Sequence, residues 1–174
     1  MTYATEETSS RCPESSPLAT KVGDGERISR MLVSSICGDD DLPDEKTFQL
    51  DELLCRDKPS KTQPDCDCGN SGGVSVQRCP PKDERDHANA SLAFANRRPG
   101  RRGLGIARTT ASVLREIRID QIDGQIIFVL PDGSGDDPGH AVIRLRLIPE
   151  GLAKKVRKEL IDIFRKDILR PDEV

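Results

Sequence analysis

The sequence predicts an α+β fold: a small antiparallel three-stranded sheet with a C-terminal helix, preceded by a long, largely disordered N-terminal region. Three observations point there. Asp123-Gly124 separates apolar runs, and Asp-Gly supplies the positive φ angles that a two-residue hairpin needs. The run "AVIRLRLIPE" (141–150) alternates with period two, as a half-buried strand does. Residues 150–168 then carry a wide apolar stripe at helical spacing.

The boundaries follow from composition. Hydrophobic residues make up 34% of the 174-residue chain and charged residues 33%, against about 45–50% and 25% in ordinary domains. With four Phe, one Tyr and no Trp, a core spanning every residue is not expected. The sequence divides into an acidic arm with short amphipathic helices (1–54), a Cys-containing and Arg/Gly/Pro-rich linker (55–108) and a small α+β domain (109–174). Residues 97–174 hold 16 Lys or Arg against 12 Asp or Glu, net +4; residues 1–96 hold 11 against 18, net −7. Such asymmetry fits an acidic tail that tunes the interactions of a basic body.

Residues 1–22 are rich in Ser, Thr, Glu and Pro and offer little to bury, so they read as a disordered tail. In "DGERISRMLVSSICG" (24–38), Ile28, Met31, Leu32 and Ile36 recur at helical spacing, with Asp24 to cap the start and Gly38 to end it. In "TFQLDELLCRD" (47–57), one helical turn would gather Leu50, Leu53 and Leu54 into an apolar ridge. This Leu-x-x-Leu-Leu pattern resembles the helical motif that docks in nuclear-receptor and similar grooves, although so short a pattern more often docks on its own chain. These seven apolar residues are the candidate partner-binding set.

In the C-terminal part, "SVLREIRID" (112–120) reads as the first strand, with Ile117 and Ile119 on one face. "QIIFVLPD" (125–132) reads as a continuous apolar strand covered on both sides. In the third, Ala141, Ile143, Leu145 and Leu147 share the core face, while Val142, Arg144 and Arg146 face outward. The outward face would need cover either from the N-terminal helix or from a second copy of the chain, the second arrangement being a homodimer. Pro149 stops the strand, and Leu152, Val156, Leu160, Ile163, Phe164 and Ile168 form the helix stripe.

Four cysteines, Cys55, Cys66, Cys68 and Cys79, are the candidate metal ligands, with His87 as a substitute for an outer one. Only Cys66 and Cys68 are close, and Cys-x-Cys presets a tetrahedron less well than Cys-x-x-Cys. Zinc is therefore the exception and no cofactor the expectation. The loop Asp132–Asp137 lacks the turn glycine and the final Glu of a calcium loop. The glycines at 100, 103 and 105 match no phosphate-binding pattern. Two histidines, His87 and His140, stand apart with no nucleophile at recognisable spacing, so no enzyme is expected. The segment 97–108 offers Arg97, Arg98, Arg101, Arg102 and Arg108 without an acid, a cationic arm suited to phosphates.

No secretory leader or apolar span is visible, which places the chain in a reducing, cytoplasmic setting where disulfides are rare. Asn89-Ala90-Ser91 is then a chance match to a glycosylation signal. The expected function is a non-enzymatic regulatory or interaction protein that presents its arm helices to another protein. The alternatives are a nucleic-acid-binding protein using the arginine arm and the basic face, or a zinc-stabilised binding module.

Overall fold

The computed structural model describes residues 21–54, 73–131 and 137–172. It corrects the expected fold class: within these residues the sheet has six antiparallel strands and is accompanied by four α-helices. The strands are β1 (Arg27–Val33), β2 (Val74–Arg78), β3 (Gly103–Thr110), β4 (Ile127–Pro131), β5 (His140–Leu145) and β6 (Ile168–Leu169), in the order β4-β5-β2-β1-β3-β6. The helices are α1 (Leu50–Leu53), α2 (Glu84–Ala95), α3 (Ala111–Arg115) and α4 (Glu150–Arg165). All three proposed segments contribute strands to this one sheet.

The helix expected at 24–38 is the central strand β1, followed by a single 3-10 turn at Ser34–Ile36. Ile28 and Leu32 lie four apart, a spacing that puts two side chains on the same face of a helix or of a strand. Tertiary pairing decides the outcome. β1 pairs with β3 from Arg27↔Thr110 to Val33↔Gly103, so its backbone bonds go to a neighbour instead of to its own next turn. The expected first strand at 112–120 is instead α3 and a turn, closed by an isolated Ile119↔Ile122 bridge. Gly124 does take a positive φ, +84°, but in a turn that leads into β4 and not between two paired strands.

Of the C-terminal expectation two strands and the helix are present, but Leu147, expected on the core face, is 61% exposed beyond β5, and Ile168, expected in the helix stripe, lies in β6. β4 pairs with β5 through Ile127↔Leu145, Val129↔Ile143 and Pro131↔Ala141, and α4 spans Glu150–Arg165. Val156, Leu160 and Phe164 of the stripe are fully buried, and Phe164 meets Phe48 with ring centroids 5.0 Å apart. The main core gathers Ile28, Leu32, Val74, Val76, Val129 and Ile143 of the sheet with these α4 residues. Leu53 and Leu54 join the same core, and Leu50 lies at its edge.

On the opposite face, Phe128, Leu130 and Val142 form a smaller buried cluster. Val142 and Arg144, expected to face solvent, are only 5% and 7% exposed, and Arg146 is half-buried. α2 also lies on this side, over β3 and β1. Two features bring it close. Gly103 has no Cβ, and one placed there would fall 2.5 Å from the Ser91 carbonyl carbon and oxygen. The buried Ser91 hydroxyl donates to Ala88 O at 2.7 Å and accepts from Gly105 N at 2.9 Å. Glu84, at the start of α2, takes Arg108 at 3.0 Å and Arg27 at 3.3 Å.

The edges of the sheet are blunted. β6 has two residues, and β4 directs the carbonyls of Ile127 and Val129 outward, because the Arg146 N to Ile126 O bond sets the alternation of the β4–β5 ladder. Those two carbonyls accept from Gln125 Nε2 at 2.9 Å and from Arg115 at 3.2 Å. Edge groups occupied by side chains are poor templates for another strand.

Candidate ligand cleft

Pairing between β1 and β2 stops after two registers, Ile28↔Arg78 and Ser29↔Gln77, while β1 continues along β3 and β2 along β5. The strands splay beyond that point, and the Arg30 side chain fills the split. Its guanidinium donates to Ser75 O at 2.8 Å and Thr47 O at 3.4 Å, and its Nε is buried without an acceptor. Burial pulls the Arg30 pKa down, with Glu52 opposing.

Because α2 stands over β1 and β3, the sheet beside it stays open as a cleft of about 480 Å³. Met31, Val33, Ile36 and Val76 make its apolar surface, and Phe94 stands at one side. Among the described residues the polar lining is Ser29, Ser75, Gln77, His87, His140, Arg30 and Arg101, without a carboxylate. Asp137 stands beside it, its Oδ1 accepting Gln77 Nε2 at 2.7 Å.

Both histidines of the chain thus reach one cavity, His87 from α2 and His140 from β5. His87 Nδ1 and Ser29 Oγ share a 2.6 Å hydrogen bond. Burial lowers the His87 pKa, with Asp137 opposing. The pair has the atoms of a serine–histidine dyad but not its setting. Ser29 lies mid-strand in the sheet, only 1% exposed, and its hydroxyl holds the imidazole at the wall of the cleft.

The arginine arm divides in two. Arg102 is held by Asp41 in a two-pronged pair at 2.7 and 2.8 Å, and Arg108 by Asp167 at 2.6 Å and Glu84. Arg97, Arg98 and Arg101 make no ion pair among the described residues. Pro99-Gly100, with Gly100 at φ +78°, turns the chain so that Arg97 and Arg101 both return to Phe94. Their guanidinium carbons lie 5.1 and 5.4 Å from its ring centroid. Phe94 is 38% exposed, and Arg101 Nε, like that of Arg30, is buried without an acceptor.

The other candidates are placed as follows. Ile28 and Leu32 are buried with Leu53 and Leu54 in the core; Met31 and Ile36 are half-buried and line the cleft. Cys79 is buried and free, while Cys55, Cys66 and Cys68 lie outside the described residues, as do residues 132–136 of the acidic loop. Among the described residues no group of three His, Cys, Asp or Glu side chains is arranged to hold a metal ion. Ser91 of the glycosylation-like tripeptide is fully buried in α2. No helix of the described residues is long and apolar enough to cross a membrane.

The cleft escaped sequence reading because Ser29, His87 and His140 come from three elements that no spacing rule links. Only the strand order β5-β2-β1, with α2 across β1, brings them together. One signal was available: Phe94 lies one helical turn before Arg97, a spacing at which an aromatic ring and a guanidinium meet. No family model, curated protein or solved structure matches the chain.

Proposed function

We propose that the protein is a non-enzymatic binding module whose cleft takes an anionic ligand with an apolar portion. The observation that carries this reading is the lining itself: among the described residues, two arginines and two histidines, no carboxylate, and an apolar surface between them. The volume lies within the roughly 300–1,000 Å³ of small-molecule sites. Two buried guanidinium Nε groups without acceptors favour a ligand that brings its own. The buried, structurally engaged Ser29 supports binding in preference to chemistry.

The apolar residues expected to capture a protein partner mostly stabilise the core, so presenting them would mean opening it. Calorimetric titration with phenyl phosphate against neutral phenol tests the proposal. The phosphate should bind and the phenol should not, and Arg101→Ala should weaken the phosphate about tenfold or more, the worth of a charge-assisted hydrogen bond. Equal affinity for the two ligands, or no effect of Arg101→Ala, overturns it.

A further inference from the structure

We infer that the natural ligand of this cleft is a single-stranded nucleic acid, with one base lodged beside Phe94 and the flanking phosphates held by Arg97, Arg98 and Arg101. The inference rests on the anionic-cleft reading above and extends it outward across the rim. The rim holds more positive charge than a lone carboxylate or phosphate needs. Three arginines without an ion pair among the described residues cluster around one tight turn, whereas Arg102 and Arg108, in the same run of sequence, are neutralised by acids. A chain of phosphates can supply one partner to each of the three, whereas a small acid leaves two unmatched.

The aromatic ring completes the arrangement. Phe94 is an exposed large apolar residue in a chain with only four Phe, and it stands where the arginine rim meets the cleft. Bases of any sequence stack on such a ring and on guanidinium planes. A recess beside a helix admits a base that has left its stack, which an intact duplex does not offer. Gln77, Ser75 and the histidines lie deeper and can meet the edge of that base. Among the described residues, Asp137 is engaged by Gln77, Glu52 acts on the buried Arg30, and Asp86 lies at the far end of α2 from the arginines.

The test is fluorescence anisotropy on the full chain with a labelled ten-nucleotide thymidine strand, read at several salt concentrations. Contact with three phosphates predicts a slope of log affinity against log salt of about −2. The double variant Arg97→Ala/Arg98→Ala should cut that slope to about −0.7, while Arg102→Ala, on a pair outside the rim, leaves it unchanged. Phe94→Ala should weaken binding about five- to 150-fold, the range of one stacked base. All these side chains are at least partly exposed, and unchanged thermal melts would show that each variant is folded.

A duplex of the same length that binds equally well would overturn the single-strand assignment. Competition by a glutamate-rich peptide as strong as by unlabelled strand would point to an acidic polypeptide and overturn it too. Binding of phenyl phosphate without binding of the strand would sink this inference and leave the cleft reading standing. Failure of both ligands would remove both.

Discussion

Replacing Gly103 with alanine tests whether the position of α2, and hence the cleft, is set by one missing methyl group. The added Cβ would lie 2.5 Å from the Ser91 carbonyl carbon and oxygen and 2.6 Å from Leu92 N. Both neighbours are helix backbone, which cannot swing aside as a side-chain tip can. Restoring an ordinary 3.4 Å contact requires α2 to lift by about 0.9 Å. That shift stretches the 2.9 Å Gly105 N to Ser91 Oγ bond towards breaking. Overpacking of this kind costs about 1–3 kcal/mol and a lost neutral hydrogen bond about 0.5–1.5 kcal/mol. The sum, about 1.5–4.5 kcal/mol, corresponds to a drop of roughly 3–18 °C in melting temperature for a chain of this size. Differential scanning fluorimetry reads it directly. Gly151→Ala is the matched control, because a Cβ there meets nothing within 4 Å and α4 gains about 0.5 kcal/mol in backbone entropy. Since α2 carries His87 and Phe94, Gly103→Ala should also weaken phenyl phosphate binding at temperatures where it is folded. A melt within about 1 °C of the parent, with unchanged ligand affinity, would refute the claim that close backbone approach at Gly103 places the wall of the cleft.

Three further outcomes are expected. The His87 pKa is lowered by burial, so its stabilising contribution is complete above the unfolded value of about 6.5 and is lost as pH falls towards the folded value; denaturant unfolding from pH 7.5 to 5 should show this decline, and His87→Gln should remove that histidine's share of it. Cys37 is pushed up to about 11 by burial, with the Asp44 carboxylate adding to it, so alkylation at pH 8 followed by peptide mass mapping should leave Cys37 unmodified until the chain is unfolded. Phe164→Ala removes a fully buried ring that packs on Phe48 and should cost about 3–5 kcal/mol, read as a lower denaturant midpoint with little change in slope.

What the sequence revealed is a matter of which residues depend on local rules. α4 and the β4–β5 pair were readable because a stripe from Val156 to Phe164 and an alternation from Ala141 to Leu145 leave one secondary-structure choice each. β1 was not readable in the same way. Its Ile28 and Leu32 satisfy either period, and its commitment to a strand comes from β3, more than 70 residues away at the Arg27↔Thr110 pair. β3 itself, "GLGIARTT", looks like linker, because glycines that weaken a strand by propensity are needed where a helix and a neighbouring strand approach closely. α2 carries small residues, Ala88, Ser91 and Ala95, on its buried side, and these yield no conspicuous hydrophobic stripe. That weakness of signal is a consequence of the close packing.

The candidate site lies where local rules no longer decide the structure. A cleft forms where the regular ladder is interrupted, and the interruption between β1 and β2 after Ser29↔Gln77 is bridged by a side chain, Arg30, in place of backbone pairs. A buried guanidinium is costly to desolvate and is kept only where polar groups surround it. Here the Ser75 and Thr47 carbonyls serve two of its nitrogens and the third is left over. An apolar replacement such as Arg30→Met would relieve that cost. It should therefore leave the fold as stable as the parent or more so, while removing positive charge from the cleft and weakening anion binding. A protein that tolerates Arg30→Met in its thermal melt but loses phenyl phosphate affinity would carry the arginine for its ligand; one that collapses on the substitution would carry it to hold β1 and β2 together. The two measurements on a single variant separate architecture from recognition at the point where the sheet opens.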